Sequence, residues 1–159
     1  MKRPVKRLLW LIAVGAVLFL ITRFAVKPFV VVGESMTPTL RSWDLCLMQR
    51  VYHYQPIRGD IIVFRTADDP PLYFVKRVVA LPGETMAIES GVVNINGVRL
   101  REPYTTTNPD WQMDPTLIPQ GKVFVIGDNR TVDFDIAFHE LIATRLVQAR
   151  MLWHWRWKR

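Results

Sequence analysis

Residues 72–84 have the sequence LYFVKRVVALPGE, an apolar and β-branched run that contains one Lys–Arg pair and ends at Pro-Gly. Runs of this composition, bounded by turn residues, are typical of β-strands. The sequence therefore predicts a strand at Tyr73–Ala80. Because successive side chains of a strand point to opposite faces, Lys76 should share a face with its apolar neighbours two residues away, and Arg77 should point the other way.

Similar short runs lie on both sides of this strand and are separated by Gly, Pro, Asn or Asp. They predict further strands, at Phe29–Val32, Asp44–Gln49, Asp60–Phe64, Met86–Glu89, Val92–Ile95, Lys122–Gly127 and Ile142–Trp157. Asn96-Gly97 predicts a two-residue hairpin turn that leads into Val98–Leu100. Tyr104–Thr116 is predicted to be a loop, and Asp135–Leu141 a short helical turn. The fold class expected from this pattern is mostly β.

The N-terminal region differs from the rest, because Leu8–Ile21 is apolar and carries no formal charge. Extended to Val26, the segment would be about 28 Å long as a helix at ~1.5 Å per residue, close to the ~30 Å of a bilayer core. A cleaved signal peptide and an uncleaved anchor are both compatible with it. No good A-x-A cleavage site follows the segment, which favours a single transmembrane helix at residues 8–26. A buried core helix is disfavoured by the flanking basic residues.

The net charge of +7 comes largely from the two ends of the chain. Basic residues are concentrated before the apolar segment, which by the positive-inside rule predicts a cytoplasmic N-terminus at residues 1–7 and an extracytoplasmic β domain at residues 28–159. A nearly balanced middle favours a membrane lipid partner and no nucleic acid partner. The single cysteine, Cys46, excludes an internal disulfide, and no Cys/His cluster has the spacing of a metal site.

Ser35 follows Gly33 at the end of a β-branched run, just before a turn that contains Pro38. Such a junction exposes a side chain and aims backbone N–H groups outward, as a nucleophile and its oxyanion hole require. Lys76 lies within an apolar strand, where burial would lower its pKa and allow it to act as a base. The simpler interpretations are that Ser35 is an ordinary turn residue and that Lys76 is an edge-strand charge. The three histidines, His53, His139 and His154, have no partner pattern, so a Ser–His–Asp triad has little support.

Four ordered segments resemble the motifs of the bacterial type I signal peptidases. Ser35–Leu40 (SMTPTL) is similar to S-M-x-P-T-L, Gly59–Phe64 (GDIIVF) to G-D-[IV]-[IV]-x-F, and Lys76–Glu84 (KRVVALPGE) to K-R-[VI]-x-[AG]-x-P-G-[DE]. Gly127–Arg130 (GDNR) is similar to the start of G-D-N-R-x-x-S-x-D-S-R. The resemblance extends from the apolar segment to about Leu152.

This resemblance implies a signal-peptidase-like β domain with a smaller β excursion at residues 84–122. It implies that Ser35 is the nucleophile and Lys76 the general base of a serine endopeptidase that needs no cofactor and no metal. Its substrates would be exported pre-proteins, cleaved after small residues at A-x-A positions. The location implied is the bacterial cytoplasmic membrane, and the protein is expected to be a monomer.

The resemblance also implies supporting residues. Those expected at the oxyanion hole or beside the dyad are Gly33, Met36, Arg77, Asp128, Asn129, Arg130, Asp133 and Asp135. An extended substrate should lie between Phe29–Val32 and Tyr73–Val75, since strand-like pairing supplies generic affinity. The residues expected to line this cleft are Val30, Val31, Val32, Phe74 and Val75. Bulky side chains there would leave shallow pockets that admit alanine.

The chain departs from the family pattern at three places. Gly33 replaces a serine whose hydroxyl serves the oxyanion hole, a donor worth about 3 kcal/mol. Asp133 replaces a serine near the lysine, and a carboxylate there would raise the pKa of Lys76 and give a more alkaline pH–rate profile, unless it points to solvent. Asp135 is kept without its usual arginine, for which Arg130 or Arg77 could substitute.

The C-terminal segment alternates aromatic and polar residues. In a strand, Trp153, Trp155 and Trp157 would share one face, which suggests contact with the bilayer interface. Core tryptophans closing the sheet are the alternative.

Two other functions stay open: a specialised processing peptidase with one dedicated substrate, and an inactive membrane-tethered relative that acts as a binding protein. A self-cleaving repressor is disfavoured, since no DNA-binding domain precedes Ser35.

Overall fold

The computed structural model describes residues 2–20, 26–105, 110–131 and 140–156. In these ranges the chain forms helix α1 (Lys2–Leu20) followed by eleven strands arranged in two sheets. The fold is mostly β, as the sequence predicts. Asp133, Asp135, His139 and Trp157 lie outside the described residues, and so do residues 21–25 of the predicted anchor.

Helix α1 carries large apolar side chains that are mostly exposed, among them Trp10 and Phe19. It contains the first part of the predicted anchor together with the basic residues that precede it. Among the described residues, no helix is both long enough and apolar enough to cross a membrane.

The larger sheet has seven strands, all paired antiparallel. They are β1 (Val26–Val30), β2 (Leu45–Arg50), β3 (Ile61–Arg65), β4 (Tyr73–Ala80), β9 (Lys122–Ile126), β10 (Glu140–Ala143) and β11 (Val147–Trp155). Their order across the sheet is β1-β2-β11-β3-β4-β9-β10. A 3-10 turn at Thr144–Leu146 separates β10 from β11, so the predicted single strand Ile142–Trp157 is divided in two. Glu140 and Leu141 belong to β10 and pair with β9, so the prediction of a helical turn is wrong for these two residues.

The smaller sheet has four strands and lies between β4 and β9 in the chain. They are β5 (Thr85–Glu89), β6 (Val92–Ile95), β7 (Val98–Arg99) and β8 (Met113–Leu117), in the order β7-β6-β5-β8. Strand β8 falls within the segment predicted to be a loop. Its residues are mostly exposed and include Pro115, so the sequence lacks the alternating apolar pattern that reveals a strand. Pairing with β5 alone makes it an edge strand.

Three apolar clusters form the core. One lies under the smaller sheet and includes Met86, Ile88 and Trp111. A second follows the larger sheet around Phe64 and Val125. The third packs against the loop that carries Ser35, and its members are Val31, Met36, Leu40, Cys46, Met48, Ile61 and Val63. This third cluster fixes the position of the Ser35 loop relative to β3.

Candidate active site

Ser35 lies on a turn between β1 and β2, and backbone hydrogen bonds hold the residues on either side of it. Gly33 has a φ of +105°, a conformation that glycine adopts without strain. Thr37 N–H donates to the Glu34 carbonyl at 3.1 Å, and Leu40 N–H donates to the Met36 carbonyl at 2.8 Å. Met36 is buried directly after Ser35, which is itself exposed. The loop therefore holds its apolar side chains in the core and presents the serine at the surface.

Lys76 lies in the middle of β4, opposite Ile62 of β3. Only 4% of this residue is exposed. Burial is the main cause that lowers the pKa of Lys76 from 10.5 to about 8, while the charge of Asp128 acts in the opposite direction. A lysine with this pKa is neutral in about a tenth of molecules at pH 7, which is sufficient for a general base.

Gly127 brings the backbone of Ser35 close to the amine of Lys76. A Cβ atom built on Gly127 would lie 2.2 Å from the Ser35 carbonyl oxygen and 3.4 Å from Lys76 Nζ. A side chain at position 127 would therefore collide with the backbone of the Ser35 loop. Gly127 belongs to the GDNR motif of the sequence but was not predicted to be a site residue. The available signal was a glycine directly after a buried strand, which indicates close approach of another backbone.

Asn129 connects the same segment to the Ser35 loop by two hydrogen bonds. Its backbone N–H donates to the Ser35 carbonyl at 3.1 Å. Its side-chain Nδ2 donates to the Glu34 carbonyl at 3.0 Å. Because these bonds take up both carbonyls, the peptide around Ser35 is held against residues 127–129.

Arg77 and Asp128 form a buried two-point ion pair next to Lys76. Arg77 Nε donates to Asp128 Oδ1 at 2.8 Å and Nη2 donates to Oδ2 at 2.6 Å. Arg77 Nη1 also donates to the Gly59 carbonyl at 2.8 Å. Asp128 is fully buried, so this pairing offsets the cost of keeping its charge inside the protein.

Arg130 is buried and reaches the smaller sheet. Its Nε donates to the Gly127 carbonyl at 2.9 Å, and its Nη2 donates to Glu102 Oε1 at 2.6 Å. The Arg130 guanidinium lies 5.5 Å from the ring centre of Trp111. Arg77 and Arg130 thus have carboxylate partners within the described residues, and Asp135, the partner expected for one of them, lies outside those residues.

Three further residues near the site, Glu102, Tyr104 and Trp111, were not predicted from the sequence. Glu102 precedes the segment predicted to be a loop, and the other two lie within it. The Tyr104 hydroxyl donates to Glu102 Oε1 at 3.0 Å, and the Tyr104 ring centre lies 4.0 Å from the Arg77 guanidinium carbon. Aromatic residues beside an acid in a supposed loop are a weak signal, because their partners are far away in the sequence.

The residues predicted to line the cleft occupy different environments. Val30 and Val32 are exposed, whereas Val31 is buried in the core next to Met36. Val75 packs against the same cluster. Phe74 packs on Phe64, with 5.9 Å between the ring centres.

A groove of about 360 Å³ lies between β1 and β4, and neither the five predicted cleft residues nor Ser35 and Lys76 line it. Residues that line it include Pro28, Phe29, Met48, Val63, Tyr73 and Ala149. The groove is thus bordered by two of the segments predicted to flank a substrate. In the described ranges, no cluster of three or more His, Cys, Asp or Glu side chains could hold a metal ion.

Comparisons with known proteins agree on one family. The sequence profile of the family described as "Signal peptidase, peptidase S26" matches residues 5–155. The chain is 39% identical over 127 residues to signal peptidase I of Leptolyngbya laminosa, covering 74% of this chain and 63% of the relative. It is 34% identical over 132 residues to signal peptidase I of Bacillus amyloliquefaciens, covering 76% of this chain and 68% of the relative. The chain therefore spans about two thirds of the length of these curated relatives.

One solved structure matches over part of the chain. It is the crystal structure of a signal peptidase I from Enterococcus faecalis, with 26% sequence identity and a TM-score of 0.46. The match covers 61% of this chain and 97% of that one.

Proposed function

The chain belongs to the signal peptidase family, peptidase S26, and on that premise we propose that it is a serine endopeptidase that removes signal peptides from exported pre-proteins. Ser35 is the nucleophile and Lys76 the general base. The observation that carries the proposal is that the backbone carbonyl of Ser35 and the amine of Lys76 both lie next to Gly127, with the serine exposed and the lysine buried with a lowered pKa.

In the first step, neutral Lys76 takes the proton from Ser35 Oγ as that oxygen attacks the carbonyl carbon of the scissile peptide bond. The tetrahedral intermediate collapses, Lys76 gives the proton to the leaving amine, and an ester links the signal peptide to Ser35. A water molecule then attacks the ester as Lys76 takes its proton, and Lys76 gives that proton to Ser35 Oγ when the bond to the acyl group breaks, so that the acid product leaves and the serine is restored. Because Lys76 is returned to its neutral form, the cycle needs no cofactor.

The negative charge of the intermediate requires hydrogen-bond donors at the Ser35 end of the loop. We assign the Ser35 backbone N–H to this role, because no carbonyl in the described part of the chain accepts from it. Gly33 has no hydroxyl to contribute, and its own N–H donates to Ser42 Oγ at 3.2 Å. The oxyanion hole therefore depends on backbone donors.

Substrate specificity follows from the groove between β1 and β4. An extended peptide that lies along it can pair its backbone with β1 or β4. Val31, Met36 and Phe74 do not line the groove itself, and their role is to limit the depth of the pockets where the peptide continues to Ser35. Shallow pockets admit alanine and exclude larger side chains. This is the basis for cleavage after small residues at A-x-A positions.

The protein acts at the bacterial cytoplasmic membrane, with the apolar segment from residue 8 up to the start of β1 at Val26 as its anchor, residues 1–7 in the cytoplasm and the β domain outside. Two observations support the membrane association. The apolar side chains of α1 are exposed, Trp10 by 66% and Phe19 by 64%. The basic residues before the apolar segment favour the cytoplasmic side.

One face of the larger sheet also supports this placement. Four apolar residues on β2 and β11 form it, with Trp153 opposite Leu47 and Trp155 opposite Leu45. Each is 40 to 53% exposed. The two tryptophan rings lie 5.6 Å apart. We call these four residues the outer apolar face, and it would rest at the bilayer interface, which tryptophan prefers.

The test is cleavage of a pre-protein with an A-x-A signal peptide by the wild type, Ser35→Ala and Lys76→Ala. The wild type should release the mature protein with its N-terminus directly after the small residue, and both variants should leave the pre-protein intact. Cleavage by Ser35→Ala at the wild-type rate would reject the proposal. Binding of the pre-protein without cleavage by the wild type would favour the inactive tethered relative instead.

A further inference from the structure

The side chain of Glu102 connects the smaller sheet to the segment that holds the proposed dyad. Glu102 lies three residues after β7, and only 9% of its side chain is exposed. One of its oxygens, Oε1, accepts hydrogen bonds from Arg130 Nη2 at 2.6 Å and from the Tyr104 hydroxyl at 3.0 Å. Thr105 closes a turn on the Glu102 carbonyl through both its N–H and its hydroxyl. The backbone of Glu102 is therefore held by its own loop, and its carboxylate is held by Tyr104 and Arg130.

The first connection runs from Glu102 through Arg130 to Gly127. Arg130 is 2% exposed and donates from Nε to the Gly127 carbonyl at 2.9 Å. Gly127 lies next to both the Ser35 carbonyl and Lys76 Nζ, and its lack of a side chain allows both to approach. A displacement of Arg130 would release the peptide that sets the approach of the nucleophile to the base.

The second connection runs from Glu102 through Tyr104 and Arg77 to Asp128. The Tyr104 ring stacks on the Arg77 guanidinium, 4.0 Å from its central carbon. Arg77 in turn binds both oxygens of Asp128. Two separate connections thus start at the Glu102 carboxylate and end on Gly127 and Asp128, which are consecutive and adjoin the dyad. A contact that only joined the two sheets would not need both connections.

We propose that Glu102, acting with Tyr104, is a positioning residue for the Ser35–Lys76 dyad, so that the smaller sheet completes the catalytic site. This inference rests on the proposed function. Glu102 touches neither the reacting atoms nor the substrate, and it acts through Arg130 and Arg77. The smaller sheet is accordingly part of the catalytic apparatus and more than an excursion from the larger one.

Loss of Glu102 should change the titration of Lys76 in a defined direction. The charged groups on the surrounding elements are Arg77 on β4, Asp60 before β3, Glu34 on the Ser35 loop, and Asp128 and Arg130 after β9. Of these, in the described part of the chain, Asp128 is the charge that opposes the effect of burial on Lys76. Loosening Arg77 would leave Asp128 less neutralised, and loosening Gly127 would admit water to the amine. Both changes raise the pKa of Lys76.

The experiment compares Glu102→Ala, Glu102→Gln and Tyr104→Ala with the wild type, in the full chain in detergent micelles. Glu89→Ala is the matched control, since Glu89 is an exposed acid on the same smaller sheet. The measurements are kcat and KM on a signal-peptide substrate across pH, an NMR titration of the Lys76 side chain, and the melting temperature. The NMR titration does not depend on activity.

We expect Glu102→Ala to lower kcat about tenfold with little change in KM, because misplacement of reacting groups acts on the chemical step. The acid limb of the pH profile and the Lys76 titration should both move to higher pH by roughly half a unit or more. Glu102→Gln should recover most of the activity, since its amide oxygen can still accept from Arg130 and Tyr104. Tyr104→Ala should move the titration in the same direction, and Glu89→Ala should change nothing.

The inference is overturned if Glu102→Ala titrates like the wild type, or if it lowers only the melting temperature while the pH limb stays in place. A wild type that cleaves no pre-protein, or a Ser35→Ala variant that cleaves normally, would count against the proposed function instead. In that case the NMR titration of Lys76 in Glu102→Ala still decides whether Glu102 controls the environment of the lysine.

Discussion

Lys76 lies almost entirely out of solvent between two neighbouring strands, and its surroundings determine when it can act as a base. Its pKa of about 8 results mainly from burial, against the opposing charge of Asp128. Because only the neutral amine can accept the Ser35 proton, the rate of cleavage should fall as pH decreases through about 8, by about tenfold per pH unit at lower pH. The measurement is kcat/KM on a signal-peptide substrate from pH 6 to 10.

A rate that stays constant down to pH 6 would contradict this expectation. Asp133, which lies outside the described residues, adds a second arm to the same measurement. If its carboxylate is near Lys76, Asp133→Ser should move the acid limb to lower pH, since removal of a negative charge lowers the pKa of a lysine. An unchanged limb would mean that Asp133 points to solvent.

The same pKa shift has a consequence for stability. In the unfolded chain Lys76 titrates near 10.5, and in the folded chain near 8. Between these two pH values the unfolded state binds more protons, so the contribution of Lys76 to the free energy of unfolding rises with pH across that window. Below about pH 8 the buried ammonium destabilises the fold, by about 3 kcal/mol on the scale of 1.36 kcal/mol per unit.

Lys76→Met should therefore raise the free energy of unfolding at pH 7 and lose this advantage by pH 11. The check is chemical denaturation of the wild type and Lys76→Met at both pH values, so that other titrating groups cancel in the difference. An equal difference at the two pH values would mean that Lys76 has the same pKa in the folded and unfolded chain, so that burial does not lower it. The dyad residues were predicted from motifs and the direction of the Lys76 pKa shift from the apolar strand, whereas the size of that shift depends on the three-dimensional burial of the amine and could not be predicted from the sequence.

At the scale of elements, strand β4 could be predicted from the sequence because it is a long β-branched run bounded by turn residues. Strands β4 and β6 begin and end at the predicted residues. Strand β8 could not be predicted, because an edge strand with a proline and exposed side chains is held by pairing with β5 and not by its own pattern. An alternation of apolar and polar side chains along Met113–Leu117 would have revealed the strand, and the sequence does not have it.

The end of β9 supports a prediction at this scale, because Gly127 follows that strand and fixes its distance from the Ser35 loop. Gly127→Ala would place a Cβ 2.2 Å from the Ser35 carbonyl oxygen, so one of the two segments must shift. A displacement of about 1 Å at a reacting centre costs about a hundredfold in rate. We expect kcat/KM for pre-protein cleavage to fall by that order.

Gly15→Ala is the control, because a Cβ at position 15 of α1 meets no atom within 4 Å. It should leave the rate unchanged. Wild-type activity in Gly127→Ala would show that the Ser35 loop can move without loss of the dyad. Gly127 went unrecognised in the sequence because its role depends on contact with residues far away in the chain.

At the scale of the whole molecule, the basic charge and the exposed apolar side chains are the observations that support the proposed membrane association. Trp153 and Trp155 were predicted to share a face, and they do so next to Leu45 and Leu47. The position of this face relative to a bilayer could not be predicted, since no sequence pattern states which surface of a sheet remains uncovered. Contact of this face with lipid stays a prediction.

Trp153→Ser combined with Trp155→Ser should weaken the binding of the protein to anionic vesicles, because each indole contributes apolar area at the interface. High salt should weaken binding further, but only slightly in a form that lacks residues 1–25, because loss of their five basic residues reduces the net charge from +7 to +2. Vesicle co-sedimentation of a form that lacks residues 1–25 measures both effects. Tyr52→Ser, at an exposed position in a loop, is the control. Equal vesicle binding by the double variant and by this control would reject the membrane role of the outer apolar face.

The chain leaves the larger sheet after β4, forms the smaller sheet and returns to the larger one at β9. Strands β4 and β9 are hydrogen-bonded neighbours, with Val78 opposite Val125 and Ala80 opposite Phe124. The points of departure and return are therefore fixed by the larger sheet itself. Insertions or deletions in the exposed turn at Asn96-Gly97 would change the reach of the excursion without separating Lys76 from Gly127. The fold thus provides a place where length can vary between relatives, or where a reporter can be introduced, at little risk to the spacing of the dyad.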